Sequence, residues 1–105
     1  MTHKPVFLRA RANADIDEAL DFYLVEAPEE VEALLESLRD TVERIGRSPG
    51  VGSPRYSHEL DMPGLRHIST PRFPYLVFYF DTDQRVEVIR VLHQRRDLPD
   101  ELDAE

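Results

Sequence analysis

The chain has 105 residues, near the commonest length of one domain and too short for two independent cores. Its 41% hydrophobic content is enough to fill a core, and the absence of cysteine excludes disulfides, thiolate metal sites and a cysteine nucleophile. The net charge of −8 has the sign opposite to that of a generic nucleic-acid binder.

In chain order, Met1-Thr2-His3-Lys4-Pro5 is followed by a short apolar stretch that ends at Arg9, and no run approaches the ~20 apolar residues of a membrane span. Neither export nor membrane insertion is expected, and a reducing cytosol is the expected location. Pro5 to Arg11 alternates Val6, Leu8 and Ala10 against Phe7, Arg9 and Arg11, which predicts a strand with one apolar face. Asn13 and Asp15 both suit a helix N-cap, and Asp15 with Glu18 forms a capping-box pattern, so a first helix is predicted from there. Ile16, Ala19, Leu20, Tyr23, Leu24 and Ala27 form its apolar stripe, and Pro28 ends it.

That proline, with Glu29 and Glu30 behind it, suits the first turn of a second helix, whose stripe is Val31, Leu34, Leu35, Leu38, Val42 and Ile45 with Gly46 as C-cap. Two helices with almost no linker must pack as an antiparallel hairpin. Gly46 to Gly64 holds four glycines and three prolines and reads as a long irregular connection. Leu65 to Thr70 predicts a short strand, and Pro71-Arg72-Phe73-Pro74 a tight rigid turn. Tyr75 to Phe80 is apolar on both faces, as a central strand covered on two sides is. Asp81 to Gln84 is a polar turn into a last strand, Arg85 to His93. The fold class that follows is α+β: an N-terminal strand and a helical hairpin packed on one face of a small, mostly antiparallel sheet. The acidic tail 100–105 is expected to fray.

Charge is distributed unevenly: residues 1–64 carry net −6, residues 65–98 net +2 and residues 99–105 net −4. Every cation of the middle stretch is arginine, which makes forked contacts with carboxylate or phosphate. Arg66, Arg72, Arg90, Arg95 and Arg96, with the aromatics Phe73, Tyr75 and Tyr79, form a set enriched at protein interfaces. By strand alternation Arg90 shares a row with Val86, Val88 and Leu92, a cation among core residues that calls for a carboxylate partner or a partner-filled groove. A hydrolytic alternative needs a base, an acid and cations to converge, and His67, His93, Arg66, Arg72, Arg95 and Arg96 are its candidates; Gln94 beside His93 offers no acid–base partner. His58, Glu59, His67 and His93 lack metal-ligand spacing, so no metal and no cofactor are expected. Asp17, Glu18 and Asp21 read as a solvated helix face.

The series Gly64-Leu65-Arg66, Arg72-Phe73-Pro74-Tyr75-Leu76-Val77-Phe78-Tyr79, Arg90-Val91-Leu92-His93 and Arg96-Asp97-Leu98-Pro99 resembles the C-terminal signature of ParE toxins, in the ParE/RelE superfamily of bacterial type II toxin–antitoxin systems. Ala14-Asp15-Ile16-Asp17-Glu18-Ala19-Leu20-Asp21-Phe22-Tyr23 is similar to the start of that family's helical hairpin. The resemblance implies a single toxin domain over 1–105, neutralised by a ParD-like ribbon–helix–helix antitoxin that folds a C-terminal segment over it. It implies inhibition of DNA gyrase by protein–protein binding, without catalysis or direct nucleic-acid contact. The alternatives are a RelE-like ribosome-dependent mRNA endonuclease and a non-toxic binding module, because these relatives share a fold. The expected partner-facing residues are Arg66, Arg72, Phe73, Tyr75, Arg90, His93, Arg95 and Arg96, an arginine-lined cleft suited to an acidic and apolar antitoxin tail.

Overall fold

The computed structural model describes residues 3–95. Strand β1 (Val6–Leu8) leads into helix α1 (Ala10–Glu26), and a single 3-10 turn at Pro28–Glu30 reverses the chain into α2 (Val31–Arg47). A second 3-10 turn (Pro49–Val51) and a short helix α3 (Arg55–Glu59) precede β2 (Leu65–Ser69), β3 (Tyr75–Asp81) and β4 (Val86–His93). The sheet order is β1-β4-β3-β2, with β1 parallel to β4 and the other pairings antiparallel.

The helical hairpin covers one face of the sheet. Ala12 and Ala19 of α1 and Leu34, Leu38 and Ile45 of α2 pack against Tyr75, Val77, Tyr79, Val86, Val88 and Val91. The opposite face buries Leu65, Leu76, Phe78, Ile89 and Leu92 under Tyr56, Leu60 and Met62 from the α3 segment. This second cover explains why β3 is apolar at every position from Tyr75 to Phe80.

Four local features differ from the sequence expectation, the first being the short helix Arg55–Glu59 inside a 46–64 connection read as irregular. Helix α1 begins at Ala10, five residues before Asp15, because Ala10, Ala12 and Ala14 are strong helix formers and Ala12 is small enough to lie flat on the sheet. Its cap residue is Arg9, without a side-chain capping bond. Gly46 lies inside α2 rather than beyond it. A Cβ there would stand 3.1 Å from the Lys4 carbonyl oxygen, so the missing side chain lets the N-terminal segment approach and donate the Lys4 N–H to the Gly46 carbonyl. Finally, Phe78 faces Arg90 while Tyr79 faces Val88, so Ile89 has no partner and forms a bulge. The extra residue advances the alternation by one. Val91 therefore joins the helix-side core and Leu92 the opposite one, correcting the row that placed Leu92 with Val86 and Val88.

Candidate partner-binding site

Beyond Val88 the short β1 no longer pairs with β4, and α1 runs along the exposed margin instead. A groove of about 620 Å³ opens there between α1 and the end of β4. Arg11, Ala14, Asp15, Glu18, Ala19, Phe22 and Tyr23 line it from the helix, and Tyr75, Arg90, Val91, Leu92 and His93 from the sheet.

Its floor is an ion pair. The Arg90 Nε donates to Asp15 Oδ2 at 2.8 Å and Nη2 to Oδ1 at 3.0 Å, in the forked geometry that guanidinium and carboxylate share. The same Oδ2 accepts the Val91 N–H at 2.9 Å. The bulge at Ile89 turns that N–H to the outer edge of β4, where a strand partner would otherwise accept it. Both side chains are nearly inaccessible, 3% for Arg90 and 9% for Asp15. The residue that looked like a helix cap thus fastens α1 to the sheet edge. Around the floor, Tyr75 and His93 meet edge to face at 5.5 Å, and Tyr23 meets Phe73 in the same manner at 5.6 Å.

The remaining sequence-predicted residues are dispersed. Arg66 is folded back on the 48–54 loop, its Nη1 donating to the Gly52 carbonyl at 2.6 Å and to that of Gly50 at 3.2 Å. Arg72 takes a left-handed backbone (φ 74°), donates to Glu30 at 2.9 Å across the hairpin turn, and lies over the Phe73 ring. Phe73 is buried in the helix-side core. His93 uses Nδ1 to accept the Arg95 N–H at 3.1 Å, and Arg95 is exposed. Arg96 lies outside the described residues, as does the tail. Tyr75, Arg90 and His93 are therefore brought together in the groove, while Arg66 and Arg72 are engaged elsewhere.

Sequence reasoning missed the helix side of the groove. Phe22 was the available signal: an aromatic residue off the stripe of Ile16, Ala19, Leu20 and Tyr23, and 58% exposed in the structure. Tyr79, by contrast, is wholly buried and pins the loop, donating its hydroxyl to the Pro49 carbonyl at 2.7 Å and accepting the Gly52 N–H at 2.9 Å. Burial raises the pKa of that hydroxyl above the ordinary value, which the Gly52 N–H partly offsets. His67 is on the other face of the sheet between Tyr56 and Phe78, its Nδ1 buried without a hydrogen-bond partner among the described residues. Burial and, second, the charge of Arg55 hold its pKa below the ordinary 6.5.

Among the described residues no three His, Asp or Glu side chains are grouped to hold a metal ion, and no helix is long and apolar enough to cross a membrane.

Residues 6–98 match the family model for the ParE toxin of the type II toxin–antitoxin system, parDE. The toxins named ParE2 of two Mycobacterium tuberculosis strains, CDC 1551 / Oshkosh and ATCC 25618 / H37Rv, are each 30% identical to the chain over 92 residues, covering 87% of it and 81% of the relative. The fold is shared with a solved chain of the chromosomal ParDE toxin–antitoxin system from P. aeruginosa, at TM-score 0.71 and 19% identity, over 87% of this chain and 96% of that one. A family match over nearly the whole chain, with relatives 30% identical to it, shows that this protein belongs to the ParE toxin family of type II toxin–antitoxin systems.

Proposed function

We propose that this toxin acts by stoichiometric binding in the cytoplasm, with DNA gyrase as its target, and that a ParD-like ribbon–helix–helix antitoxin neutralises it by laying a C-terminal segment in the groove. The observation that carries the reading is the open groove itself, about 620 Å³ bounded by Phe22, Tyr23 and Tyr75. Aromatic side chains beside a desolvated floor are what protein interfaces use as anchors. Because Asp15 satisfies Arg90, an occupant can desolvate that floor without stranding a charge.

A nuclease needs an acid, a base and cations at one scissile phosphate. Here His93 stands in the groove and His67 on the opposite face of the sheet, while the guanidinium groups of Arg66 and Arg72 are held by other partners. A net charge of −8 also opposes contact with a polyphosphate chain. Both observations favour binding over turnover.

Purified gyrase tests the target. Added toxin is expected to inhibit supercoiling and to stabilise a DNA-cleaved complex. Unaffected supercoiling together with ribosome-dependent mRNA cleavage would overturn the proposal in favour of a RelE-like activity.

A further inference from the structure

The sheet face opposite the helical hairpin is covered only in part. Tyr56, Leu60 and Met62 lie over its β2–β3 side, and Phe80 packs against that cluster. Across the remaining strands the register runs Phe80, Glu87, Phe7, and Phe7 belongs to neither core. Arg9 and Arg85 flank this row and share one carboxylate. Arg9 donates to Glu87 Oε1 through Nε at 3.0 Å and Nη2 at 2.8 Å, and Arg85 donates to Oε2 through Nε at 3.0 Å. These bonds, that of Arg9 first, hold the Glu87 carboxyl below its ordinary pKa, so it stays charged. The Arg85 guanidinium also stands 4.7 Å over the centre of the Phe7 ring, and that of Arg9 6.0 Å over the Phe80 ring.

Phe7, Arg9 and Arg85 are nevertheless about half open to solvent, at 49%, 47% and 48%. A guanidinium held on a ring and a carboxylate has already given up much of its rotamer freedom, so a partner that binds it immobilises less. Among the described residues the Nη groups of Arg85 have no acceptor, and they form a fork that takes a carboxylate. Two guanidinium groups against one carboxylate leave a single positive charge. That matches one acidic side chain, whereas a polyphosphate chain needs several cations and would meet the Glu87 carboxylate. Beside the charge, the Phe7 ring offers the aromatic anchor that protein interfaces use. We propose that the toxin meets its protein target on this face, binding a segment in which an acidic side chain, seated on Arg85 and Arg9, adjoins an apolar one packed on Phe7. The inference rests on the reading of gyrase as that target and goes beyond it in assigning the contact to the sheet face away from the groove.

The test measures the Kd of the full-length toxin for purified gyrase without DNA, alongside inhibition of supercoiling. Phe7→Thr/Arg85→Gln removes the ring and the guanidinium at exposed positions, with threonine suiting the strand, and is expected to weaken gyrase binding by about tenfold or more. Arg39→Gln, on the exposed face of α2, removes the same charge elsewhere; less than about threefold is expected. The Kd of the double variant for the full-length ribbon–helix–helix protein encoded by the adjacent reading frame should stay within about threefold, because the groove contains neither residue. Circular dichroism checks the fold. Gyrase binding unchanged in the double variant, or weakened as much by Arg39→Gln, would overturn the proposed surface while leaving gyrase as the target. So would equal weakening towards gyrase and the adjacent protein, or binding that needs DNA and is lost from naked duplex in the double variant. An unaltered toxin that neither binds gyrase nor inhibits supercoiling would overturn both readings.

Discussion

Replacing Asp15 by alanine removes three hydrogen bonds at once: two from Arg90 and one from the Val91 N–H. A hydrogen bond to a charged group contributes about 1.5–3 kcal/mol, and a buried backbone N–H left without an acceptor costs about 1–3 kcal/mol. These losses are not additive, because they belong to one ion pair; removing one partner of a buried pair costs about 3–5 kcal/mol in all. With side chains 9% and 3% exposed, solvent does little to reduce this figure. We expect Asp15→Ala to lose about 3–4 kcal/mol, a large fraction of the ~5–15 kcal/mol that holds a domain together. Urea unfolding followed by far-ultraviolet circular dichroism measures it in a chain without tryptophan. Asp15→Asn keeps an acceptor for Val91 but not the charge, and should lose about 1–3 kcal/mol. Adding Arg90→Met to Asp15→Ala should recover part of the loss, since no buried guanidinium then remains without its carboxylate. A helix cap behaves differently: asparagine and serine cap about as well as aspartate, and loss of a cap costs ~1 kcal/mol. Asp15→Asn and Asp15→Ser variants as stable as the parent, or a loss under about 1 kcal/mol for alanine, would refute the ion-pair reasoning.

Two further predictions concern the far side of the molecule. A Cβ at Gly52 would stand 2.6 Å from the Tyr79 hydroxyl, so Gly52→Ala should destabilise by about 1–3 kcal/mol, and Tyr79→Phe in the same chain should relieve part of that clash; strictly additive losses in urea unfolding would count against the contact. Because the fold holds the His67 pKa below 6.5, the native state binds fewer protons there than the unfolded chain; its contribution is fully present above about pH 6.5 and is lost as pH falls through 6.5 towards the folded value. Stability should therefore decline from about pH 7.5 to about pH 5, and His67→Phe, which keeps an aromatic ring between Tyr56 and Phe78, should flatten that part of the slope; an unchanged slope would contradict the assignment.

The order of elements was legible because each carries its own period: Leu34, Leu38 and Ile45 of α2 lie inside as spaced, and Tyr75 to Phe80 reads as a strand between two layers. What stayed hidden depends on pairings distant in the chain. Asp15 and Arg90 are 75 residues apart, and a carboxylate just ahead of an apolar stripe looks the same whether it caps a helix or meets a guanidinium. One extra residue at Ile89 was enough to move Leu92 to the other face, and nothing local to Arg85–His93 marks it. The 46–64 connection looked irregular because its glycines and prolines serve close contacts; Gly52 makes room for Tyr79 while Arg55–Glu59 forms a helix too short to show a stripe. Arg66 and Arg72 read as interface residues by type, while the bond of Arg66 to the Gly52 carbonyl and of Arg72 to Glu30, 42 residues away, depends on tertiary contacts that no local pattern records.

The groove and the sheet edges are two parts of one arrangement. A toxin must present an apolar surface to its partner, and an open strand edge beside such a surface invites self-association. Here the margins are blunted within the chain. The His67 N–H and carbonyl both bond Ser53, at 3.0 and 2.8 Å, along the outer side of β2. On β1, which is only three residues long, the Leu8 carbonyl accepts from the Asn13 side chain at 3.3 Å. On β4 Asp15 occupies the Val91 N–H. Each of these bonds takes a backbone group out of reach of an incoming extended chain, so the edges beside the groove are less open to pairing with another strand.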